Sequence, residues 1–539
     1  MSPLHRPEPP PPEAGPAGPP RAAAIPARIV QPLERLFDRA FGSAWNPIHQ
    51  SGNLAILFLL ATLASGLYLF LFYKIDDPYA SVERIRTHVL LGGWVRSVHR
   101  FSADLALVSA ALHLLRKLAQ GHTWGPRTLA WTSGILLLGV LFACGFTGLV
   151  LVWDGQALAL AREGARLLDL LPLFSTPISR MFSGAAPVPS SFFFMNLFLH
   201  VAAPLGLATL LAVHVSRLAR PALMPPRRIA WLALGALALV AALLPVPHAA
   251  SADLLALPGR APLDVFFAFW VPFAQRVGPV AHIAAWLVAG SVAMLAPRWW
   301  RPRTKSINTS WVDETLCTGC TTCVQDCPYE AIAMVPRSDF TRQATDLVAR
   351  VDPSLCVGCG ICAGSCAPMG VGPWGRTGRD QLAALDQLLR GSPGRASEVT
   401  VFTCSNAGWD GSAALRASGA EIVPVACAGS LHTSVVEACL RRGVGGVLVL
   451  SCPTRDCRFR EGPKWLRERF YAGREAELHE RVDRERVALA ALSTAETPAA
   501  LALLAGLTER VRAMETRAAQ DGEPEAICEP PLAEAEINA

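Results

Sequence analysis

Cysteine is almost missing from the first 316 residues of this 539-residue sequence, where Cys144 stands alone among the 15 cysteines of the whole chain. The sequence also lacks a nucleotide-binding fingerprint and a catalytic triad. Residues 1–28 are rich in proline and alanine and show no apolar core before a small-residue cleavage site, which predicts a disordered tail and no signal peptide. The net charge of +6 is modest and spread over loops, so we expect no nucleic-acid partner.

Apolar residues make up 52% of the sequence, and the mean hydropathy is +0.33. This value is high for a soluble protein and too low for a chain that lies entirely in a membrane. The sequence therefore predicts a membrane part and a soluble part. The cysteines beyond residue 316 occur in spaced groups, which is typical of metal ligands in a reducing compartment and not of a disulfide framework.

Four pairs of residues in apolar segments share one spacing of 14 positions: His99 and His113, His200 and His214, Gly52 and Gly66, Gly134 and Gly148. In an α-helix, 14 residues make just under four turns, so the two members of a pair lie on nearly the same face, roughly 21 Å apart along the axis. The pattern predicts a four-helix bundle with two stacked haems, in which each iron takes one histidine from each of two helices. The glycines would remove a Cβ where a flat macrocycle lies against the backbone.

Single histidines in membrane helices also occur for packing or hydrogen bonding, and a glycine pair often marks close helix contact. Four pairs at one interval favour haem ligation over these alternatives. Arg96 precedes His99 by three residues and Arg116 follows His113 by three. At those offsets the two guanidinium groups would approach the haem propionates or, alternatively, extend to the lipid interface.

The region 29–218 resembles cytochrome b of the quinol-oxidising bc-type complexes, and especially its chloroplast-type counterpart. The matching motifs are ASVERI at 80–85, GWVRSVHRFSA at 93–103, Pro-Arg at 126–127, FTGLVLVWDGQ at 146–156, and Pro204 between His200 and His214. The resemblance implies that His99 pairs with His200 and that His113 pairs with His214. The chloroplast-type relative attaches a c-type haem through a cysteine near its first helix; Gln50 has that place here, so no c-type haem is expected.

Apolar runs predict six membrane-spanning helices of about 20 residues each, after an interfacial helix at 29–41. We expect the six at 53–73, 97–118, 131–153, 192–218, 229–246 and 277–295. If they alternate, the basic clusters at 28–39, 116–127, 217–228 and 298–305 all fall on one side of the membrane. The positive-inside rule makes that side cytoplasmic, together with everything beyond residue 303.

Two cysteine strings follow with the spacing C-x2-C-x2-C-x3-C: Cys317, Cys320, Cys323 and Cys327, then Cys356, Cys359, Cys362 and Cys366. In such strings three thiolates hold one iron–sulfur cube, and the fourth reaches the neighbouring cube. The segment resembles bacterial two-cluster ferredoxins. This implies one [4Fe-4S] cluster on Cys317, Cys320, Cys323 and Cys366, and another on Cys356, Cys359, Cys362 and Cys327. Zinc is the alternative, but it needs four ligands at one site and does not require eight in a crossed pattern.

Short apolar runs at 399–403, 421–425, 444–450 and 487–492 predict buried strands, with helices at 411–417, 431–442, 463–471 and 499–514. This alternation predicts a small parallel α/β domain. Cys404, Cys427 and Cys452 each stand at the carboxyl end of a strand, and Cys457 lies in the loop after the third. The carboxyl edge is where such sheets place ligands.

This domain resembles the iron–sulfur delta subunit of methyl-viologen-reducing hydrogenase, which partners heterodisulfide-reductase-type flavoproteins. The matching residues are Cys404, CAG at 427–429, RGVGGVLVLSC at 442–452, and Cys457 with Gly462. The family has a second cysteine three residues after the first, where this sequence has Ala407. The four cysteines that remain are enough for a [2Fe-2S] cluster; zinc and the absence of any metal are the alternatives.

The sequence thus predicts a multi-domain protein: an all-α transmembrane bundle of about six helices with a dihaem four-helix core, an α+β ferredoxin domain and a small α/β parallel-sheet domain. The expected segments are a disordered tail (1–28), the dihaem bundle (29–218), two further transmembrane helices (219–303), the two-[4Fe-4S] domain (304–372), a linker (373–396), the α/β iron–sulfur domain (397–515) and a polar, acidic tail (516–539).

The order of the redox sites predicts an electron-transfer protein with a quinone at one end and a protein partner at the other. By analogy with the two families, we expect a multi-pass protein of a prokaryotic inner membrane. It would link the quinone pool to a cytoplasmic flavin or iron–sulfur oxidoreductase, heterodisulfide-reductase-like or a hydrogenase, and a homodimer is left open. The alternatives are the core of a bc-type quinol oxidase and a membrane anchor for a soluble redox complex.

The outer quinol site of bc-type complexes uses a Pro-Glu-Trp-Tyr motif before the sixth helix, and its glutamate accepts a proton from quinol. The corresponding residues here are Pro262, Leu263, Asp264 and Val265. Leu263 cannot carry a proton, and Asp264 would point about 100° away from it in a helix, where we expect a helix cap. The sequence therefore predicts no bifurcating quinol oxidation at the outer face, and quinone chemistry near the haem of His113 and His214.

Overall fold

The computed structural model describes residues 24–123, 127–171, 175–182, 186–216, 220–255, 264–299, 308–337, 345–390, 399–474 and 478–521. The chain forms two compact units, one containing residues 50–301 and the other containing residues 31–49 and 302–539. Several predicted features lie outside the described residues: residues 1–23 of the first tail, Pro262 and Leu263, the basic residues at 217, 301, 303 and 305, residues 391–396 of the expected linker, and the tail from residue 522.

The unit of residues 50–301 is helical throughout its described parts. After α1 (Ala24–Phe41), its helices are α2 (Ser51–Phe70), α3 (Pro78–His88), α4 (Gly92–Ala119), α5 (Thr128–Val150), α6 (Gly155–Leu168), α7 (Ser190–Ser216), α8 (Arg227–Leu243), α9 (Val271–Val277) and α10 (Pro279–Trp299). Helix α2 packs along α4, and α5 packs along α7. Buried side chains from all four meet in one apolar core, including Phe58, Ala106, Leu141 and Leu207. The predicted four-helix arrangement is therefore present.

Four helical segments are long and apolar enough to cross a membrane: Pro47–Phe70, Thr128–Val150, Ser190–Ser216 and Pro279–Trp299. The sequence analysis predicted six. Helix α4 has 28 residues but carries charges, of which Arg100 and Asp104 pair internally at 2.6 Å. Helix α8 has 17 residues, so it is about 26 Å long, slightly less than a bilayer core of about 30 Å. That these two helices also span the membrane stays a prediction.

Three helices of this unit, α3, α6 and α9, were not predicted, and two of them begin with clear capping signals. The Asp77 side chain accepts a hydrogen bond from the Ala80 N–H, and Pro78 occupies the first turn of α3. The Asp154 side chain accepts one from the Ala157 N–H at the start of α6, at 3.0 Å. An aspartate that satisfies a free N–H in the first turn is a recognised start of a helix, so both were readable from the sequence.

Two short antiparallel sheets organise the cysteine strings. The elements are β1 (Ser310–Val312), α11 (Thr322–Asp326), β2 (Ile332–Pro336), β3 (Leu347–Val351), α12 (Ile361–Ser365) and β4 (Val371–Pro373). Strand β1 pairs with β4, and β2 pairs with β3. Each short helix starts inside one string, directly before its third cysteine. Four of the eight buried residues in the core of this domain are cysteines.

A four-stranded parallel sheet forms the last part of the chain, as predicted. Its strands β5 (Val399–Cys404), β6 (Glu421–Val425), β7 (Gly446–Ser451) and β8 (Val487–Ala491) lie in the order β6-β5-β7-β8. The helices are α14 (Ala413–Ala417), α15 (Thr433–Arg441), α16 (Gly462–Tyr471) and α17 (Thr497–Asp521). Strands β5 and β7 are buried along their whole length because they are central. Helix α17 continues into the segment expected as the acidic tail.

The segment expected as a linker, 373–396, contains a helix that belongs to the α/β core. Helix α13 (Gly378–Arg390) packs against α15, and its Leu385 is buried with the core residues of the sheet. Gln381 donates to the Ser430 carbonyl at 2.9 Å and accepts from the His432 N–H at 3.2 Å. The apolar positions of α13 recur at helical spacing, so this segment is a docked helix as well as a connection.

Candidate redox centres

The paired histidines lie on α4 and α7, inside the four-helix core. The imidazole centroids of His99 and His200 are 6.2 Å apart. Because a metal–imidazole bond is about 2 Å long, two rings that bind one metal ion from opposite sides have centroids roughly 6 Å apart. His113 and His214 lie one 14-residue interval further along the same two helices, close enough to interact electrostatically. The structure therefore brings together the two pairs that the resemblance implied.

Each glycine of the 14-residue pairs lies against one histidine ring. A Cβ built on the glycine would lie 2.7 Å from the ring of His113 at Gly52, 3.0 Å from His99 at Gly66, 3.4 Å from His214 at Gly134, and 2.7 Å from His200 at Gly148. We expected the glycines to make room for a macrocycle. The structure shows that they first make room for the imidazole rings, so they fix the ring positions.

A hydroxyl residue precedes each of these glycines: Ser51, Ser65, Ser133 and Thr147. Three of the hydroxyls contact a histidine Nδ1: Ser65 at 3.2 Å from His99, Ser133 at 3.0 Å from His214, and Thr147 at 3.2 Å from His200. The sequence analysis missed these residues, although the Ser/Thr-Gly dipeptide at all four positions was the signal.

Backbone carbonyls complete the positioning of the rings. Nδ1 of His99 donates to the Thr62 carbonyl at 2.9 Å, and Nδ1 of His200 donates to the Cys144 carbonyl at 3.0 Å. Each carbonyl stands four residues before the glycine that faces the same ring. A histidine whose Nδ1 carries the proton presents an unprotonated Nε2, the form that binds a metal, and the second contact fixes its orientation. These sites therefore fit axial ligation of haem iron.

A cavity of about 1710 Å³ surrounds the pair of His99 and His200. Its lining also includes Gly66, Gly148 and Arg96. Pockets for drug-sized ligands have volumes of roughly 300–1,000 Å³, so the space admits a group as large as haem. The Arg96 guanidinium donates to the carbonyls of Val246 at 2.8 Å and Pro247 at 3.2 Å. Arg116 is buried in α4. Contact of either arginine with a propionate stays a prediction.

The eight cysteines of the two strings are gathered in the crossed pattern. A small cavity is lined by Cys317, Cys320, Cys323 and Cys366, the set that combines three residues of the first string with the last of the second. The other set surrounds Cys359, whose thiol interacts with Cys327, Cys356 and Cys362. Both groupings have the composition that a pair of four-iron cubes requires.

Burial makes these thiols unfavourable as free thiolates. It raises the pKa of Cys366 to about 11 and that of Cys362 to about 12. Backbone N–H groups of Ala331, Ser310 and Gly370 donate to the sulfurs of Cys327, Cys356 and Cys366, at 3.3, 3.4 and 3.3 Å respectively. Hydrogen bonds from such N–H groups stabilise the negative charge of thiolate ligands and raise the reduction potential of a cluster. These sites therefore fit iron–sulfur chemistry.

The four cysteines of the α/β domain converge at the carboxyl edge of the sheet. The sulfurs of Cys404 and Cys452 are 3.5 Å apart. A Cβ on Gly462 would lie 3.2 Å from the sulfurs of both Cys427 and Cys457, so the glycine leaves the space that these two thiols occupy. Hydrogen bonds from the thiols of Cys427 and Cys452 lower the pKa of Cys404 and raise their own pKa values. A thiolate that accepts hydrogen bonds from neighbouring thiols is typical of a group of cysteines that can bind a metal cluster.

Ala407 occupies the place where the related family has a further cysteine. It lies next to Gly408, which adopts a left-handed conformation, and it packs against the apolar cores on both faces of the sheet. An apolar, packed alanine thus replaces the fifth cysteine of the family. The set in this chain consists of the four converging cysteines.

Three regions of the chain match known families. Residues 37–221 match the family model "Cytochrome b/b6/petB", residues 316–370 match "4Fe-4S dicluster domain", and residues 399–515 match "Methyl-viologen-reducing hydrogenase, delta subunit". The three matches follow one another along the chain without overlap. They cover the histidine bundle, the two cysteine strings and the parallel sheet in that order.

Two relatives carry the description "Menaquinol:cytochrome c reductase cytochrome b subunit". The protein from Geobacillus thermodenitrificans is 31% identical over 212 residues, which are 36% of this chain and 93% of the relative. The protein from Bacillus subtilis is 32% identical over 163 residues, 29% of this chain and 73% of the relative. A solved chain titled "Hyperthermophilic respiratory Complex III" aligns with 18% identity and a TM-score of 0.38, over 47% of this chain and 75% of that one.

Cytochrome b proteins are integral membrane proteins, and the four apolar helical segments fit insertion into a membrane. The relative from Geobacillus is matched over nearly its whole length, and the two remaining regions have family matches of their own. The chain therefore belongs to the cytochrome b family and carries, in the same polypeptide, a 4Fe-4S dicluster domain and a domain of the methyl-viologen-reducing hydrogenase delta subunit.

Proposed function

We propose that this protein transfers electrons between the quinone pool and a cytoplasmic flavin or iron–sulfur oxidoreductase. Two b haems and three iron–sulfur clusters, two [4Fe-4S] and one [2Fe-2S], form the path. The observation that carries the proposal is the content of one polypeptide: paired histidines in a four-helix core, and three convergent cysteine groups in the other unit. Each group fits a one-electron carrier, and together the groups would form a chain of carriers. The sequence has no nucleotide-binding fingerprint or catalytic triad beside them.

The haem ligands that we propose are His99 with His200 and His113 with His214. A bound haem supplies one-electron redox chemistry at each pair. The chain holds the imidazoles of His99, His200 and His214 between a glycine and a carbonyl or hydroxyl group, so these rings would need little reorganisation on a change of iron charge. Fixed ligands of this kind favour fast electron transfer over ligand exchange.

We propose that quinone chemistry occurs near His113 and His214, because two contacts of Asp264 argue against quinol oxidation at the outer face. Asp264 uses one carboxylate oxygen to accept from the N–H groups of Phe266 and Phe267 and the other to pair with Arg100. A carboxylate held by the hydrogen bonds of a turn and by an ion pair is a poor acceptor for a quinol proton, because protonation would weaken both interactions. The expectation that Asp264 caps a helix was wrong: its carboxylate accepts from N–H groups of a turn, and the next helix, α9, begins at Val271 with Trp270 as its N-cap.

The partner end of the path is the α/β domain. The family model describes a delta subunit of methyl-viologen-reducing hydrogenase, which supports a heterodisulfide-reductase-like or hydrogenase partner. Reduced thiols and the basic clusters favour a cytoplasmic position of the iron–sulfur parts at a prokaryotic inner membrane. We propose that partner docking occurs on this domain, in a monomer or a homodimer.

The test uses the full chain, purified anaerobically in detergent with its cofactors. A menaquinol analogue should reduce the haems in an optical stopped-flow experiment, and the iron–sulfur signals should follow in freeze-quenched EPR samples. His113→Ala should abolish this reduction, whereas His88→Ala, at an exposed position of α3, should leave it unchanged. Haems that stay oxidised in the wild-type protein would contradict the proposal and favour an anchoring role.

A second candidate is a bc-type reductase with an active outer quinol site, which the descriptions of the two relatives favour. The two functions differ in their response to inhibitors of the outer site. We expect those compounds to leave haem reduction unchanged, and Asp264→Asn to alter the rate less than twofold. Strong inhibition, loss of turnover in the variant, or co-purification of a Rieske protein would establish the second function instead.

A further inference from the structure

The dicluster and α/β domains lie in one compact unit and touch through the second cysteine string. Helix α12 begins directly after Gly360, whose added Cβ would lie 3.1 Å from Ser430 Cβ. A Cβ on Gly364 would overlap the Arg469 guanidinium and lie 3.0 Å from the Leu431 carbonyl. Only a helix without side chains at these positions can approach so closely, so the two domains are built to fit at this place.

This contact brings a proposed ligand of one cluster next to a proposed ligand of another. Cys359 of the second string and Cys427 of the α/β domain belong to one buried cluster, together with Ile361 and Trp465. The first cube has a different neighbour: the backbone carbonyl of its proposed ligand Cys366 accepts a hydrogen bond from His432 at 3.1 Å. The cube on Cys356, Cys359, Cys362 and Cys327 is therefore the one whose ligand sulfur lies beside the α/β site.

Arg469 of α16 stands in the same seam and is completely buried. Its Nη2 donates to the Ile361 carbonyl at 3.2 Å and to the Gly429 carbonyl at 2.8 Å. Ile361 lies between Cys359 and Cys362, and Gly429 lies two residues after Cys427. One guanidinium group thus holds the loops of two neighbouring cluster sites.

Within the described residues, Arg469 donates its hydrogen bonds to carbonyls and none to a carboxylate. Asp326 is fully buried and contacts two arginines, Arg474 at 2.5 Å and Arg469 at 3.5 Å, and it accepts from the Ser365 hydroxyl at 2.7 Å. Arg474 is shared between Asp326 and Glu468, the latter at 3.4 Å, so the two carboxylates mainly neutralise Arg474 and leave the charge of Arg469 only loosely paired. A buried positive charge stabilises an electron added nearby far more than the same charge in water, because the local dielectric constant is low.

We propose that Arg469 sets the order of electron transfer in this unit: it joins the second cube to the α/β cluster and raises the reduction potentials of both relative to the first cube. Arg469 is a positioning residue, since it contacts the ligand loops and no cluster. The proposal rests on the cluster assignment made under the proposed function. It adds that electrons enter or leave the α/β domain through the second cube.

The test measures reduction potentials of the full-length protein by EPR-monitored redox titration, with the signals of the three clusters assigned by single cysteine-to-serine variants. Arg469→Met removes the charge and the two hydrogen bonds. We expect it to shift the one-electron equilibria of the second cube and the α/β cluster at least tenfold toward the oxidised form, about 59 mV. The first cube should shift less.

Two further variants separate charge from packing. Arg469→Lys keeps the charge, so it should restore most of the potential of both clusters. Arg467→Met removes an exposed arginine from the same helix and should leave all three potentials unchanged. Equal shifts in all three clusters, or unchanged potentials in a folded Arg469→Met protein, would overturn the proposal.

A measurement on the wild-type protein covers the case in which Arg469→Met does not fold. When all clusters are reduced, magnetic coupling should broaden the signals of the second cube and the α/β cluster together. Stronger coupling between the first cube and the α/β cluster would overturn the order proposed here while leaving the cluster assignment intact. The absence of any third iron–sulfur signal would instead contradict the cluster assignment itself, and with it this proposal.

Discussion

The distances from the four glycines to the histidine rings predict a graded series of alanine variants. An added Cβ would lie 2.7 Å from a ring atom at Gly52 and Gly148, 3.0 Å at Gly66 and 3.4 Å at Gly134. Contacts under 3 Å force a displacement of the ring, and overpacking of this kind typically costs about 1–3 kcal/mol. A ring displaced from its acceptors also loses the geometry needed to bind iron. Gly134→Ala makes an ordinary contact and should be nearly silent.

The assay is haem content per protein by the pyridine-haemochrome method, with thermal stability measured on the same samples. Gly148→Ala and Gly52→Ala should each remove one haem and roughly halve the yield, and Gly66→Ala should weaken one haem without removing it. Gly139→Ala is the matched control for Gly148→Ala, because it lies on the same helix with open space around the new Cβ.

Alanine forms helices better than glycine by about 0.5–1 kcal/mol, so Gly139→Ala should keep both haems and gain stability of that order. Two results would refute the reasoning. One is a Gly148→Ala protein with full haem content and an unchanged spectrum. The other is a Gly134→Ala protein that loses more haem than Gly148→Ala, since the order of the four distances would then be irrelevant.

Three further predictions concern other sites. Cys366→Ser should damage the cube of the first string and leave the other cube intact in EPR spectra; loss of the second string's own cube would contradict the crossed assignment. Cys452→Ala in the full chain should lower the iron content by about two atoms per protein, and an unchanged iron content would contradict the α/β cluster. Ser133→Ala should weaken haem binding at His214 about tenfold, measured by haem loss to apomyoglobin, because a contact that orients a ligand is removed; a haem-loss rate equal to wild type would argue against that role.

The features that were predictable from the sequence are those with a strict period. The 14-residue interval gave the four helices of the core, and the alternation of apolar runs gave all four strands of the parallel sheet to within two residues. The repeated cysteine spacing gave two groups that the structure brings together in the crossed pattern. Each of these signals depends on residues at fixed offsets within one element, which a sequence displays directly.

Contacts between elements were harder to predict. The sequence around Arg469 or Gly364 does not show that these two residues are in contact, because they are about 100 residues apart in the chain. The docking of α13 was hidden by its position between two domains, where a polar segment was interpreted as a linker. The hydroxyl residues before the glycines were visible, but their role depends on ring orientation, which only the packed bundle defines.

The 14-residue spacing also sets how the membrane potential acts on the protein. Histidines roughly 21 Å apart along one helix span about 70% of a bilayer core of about 30 Å. One elementary charge that crosses the full potential changes its energy by about 2.3 kcal/mol per 100 mV. With the two haems that we propose at these levels, an electron that moves from one to the other would gain or lose about 1.6 kcal/mol per 100 mV. In an energised membrane this step becomes a voltage-dependent equilibrium, which favours electron flow in one direction and opposes it in the other.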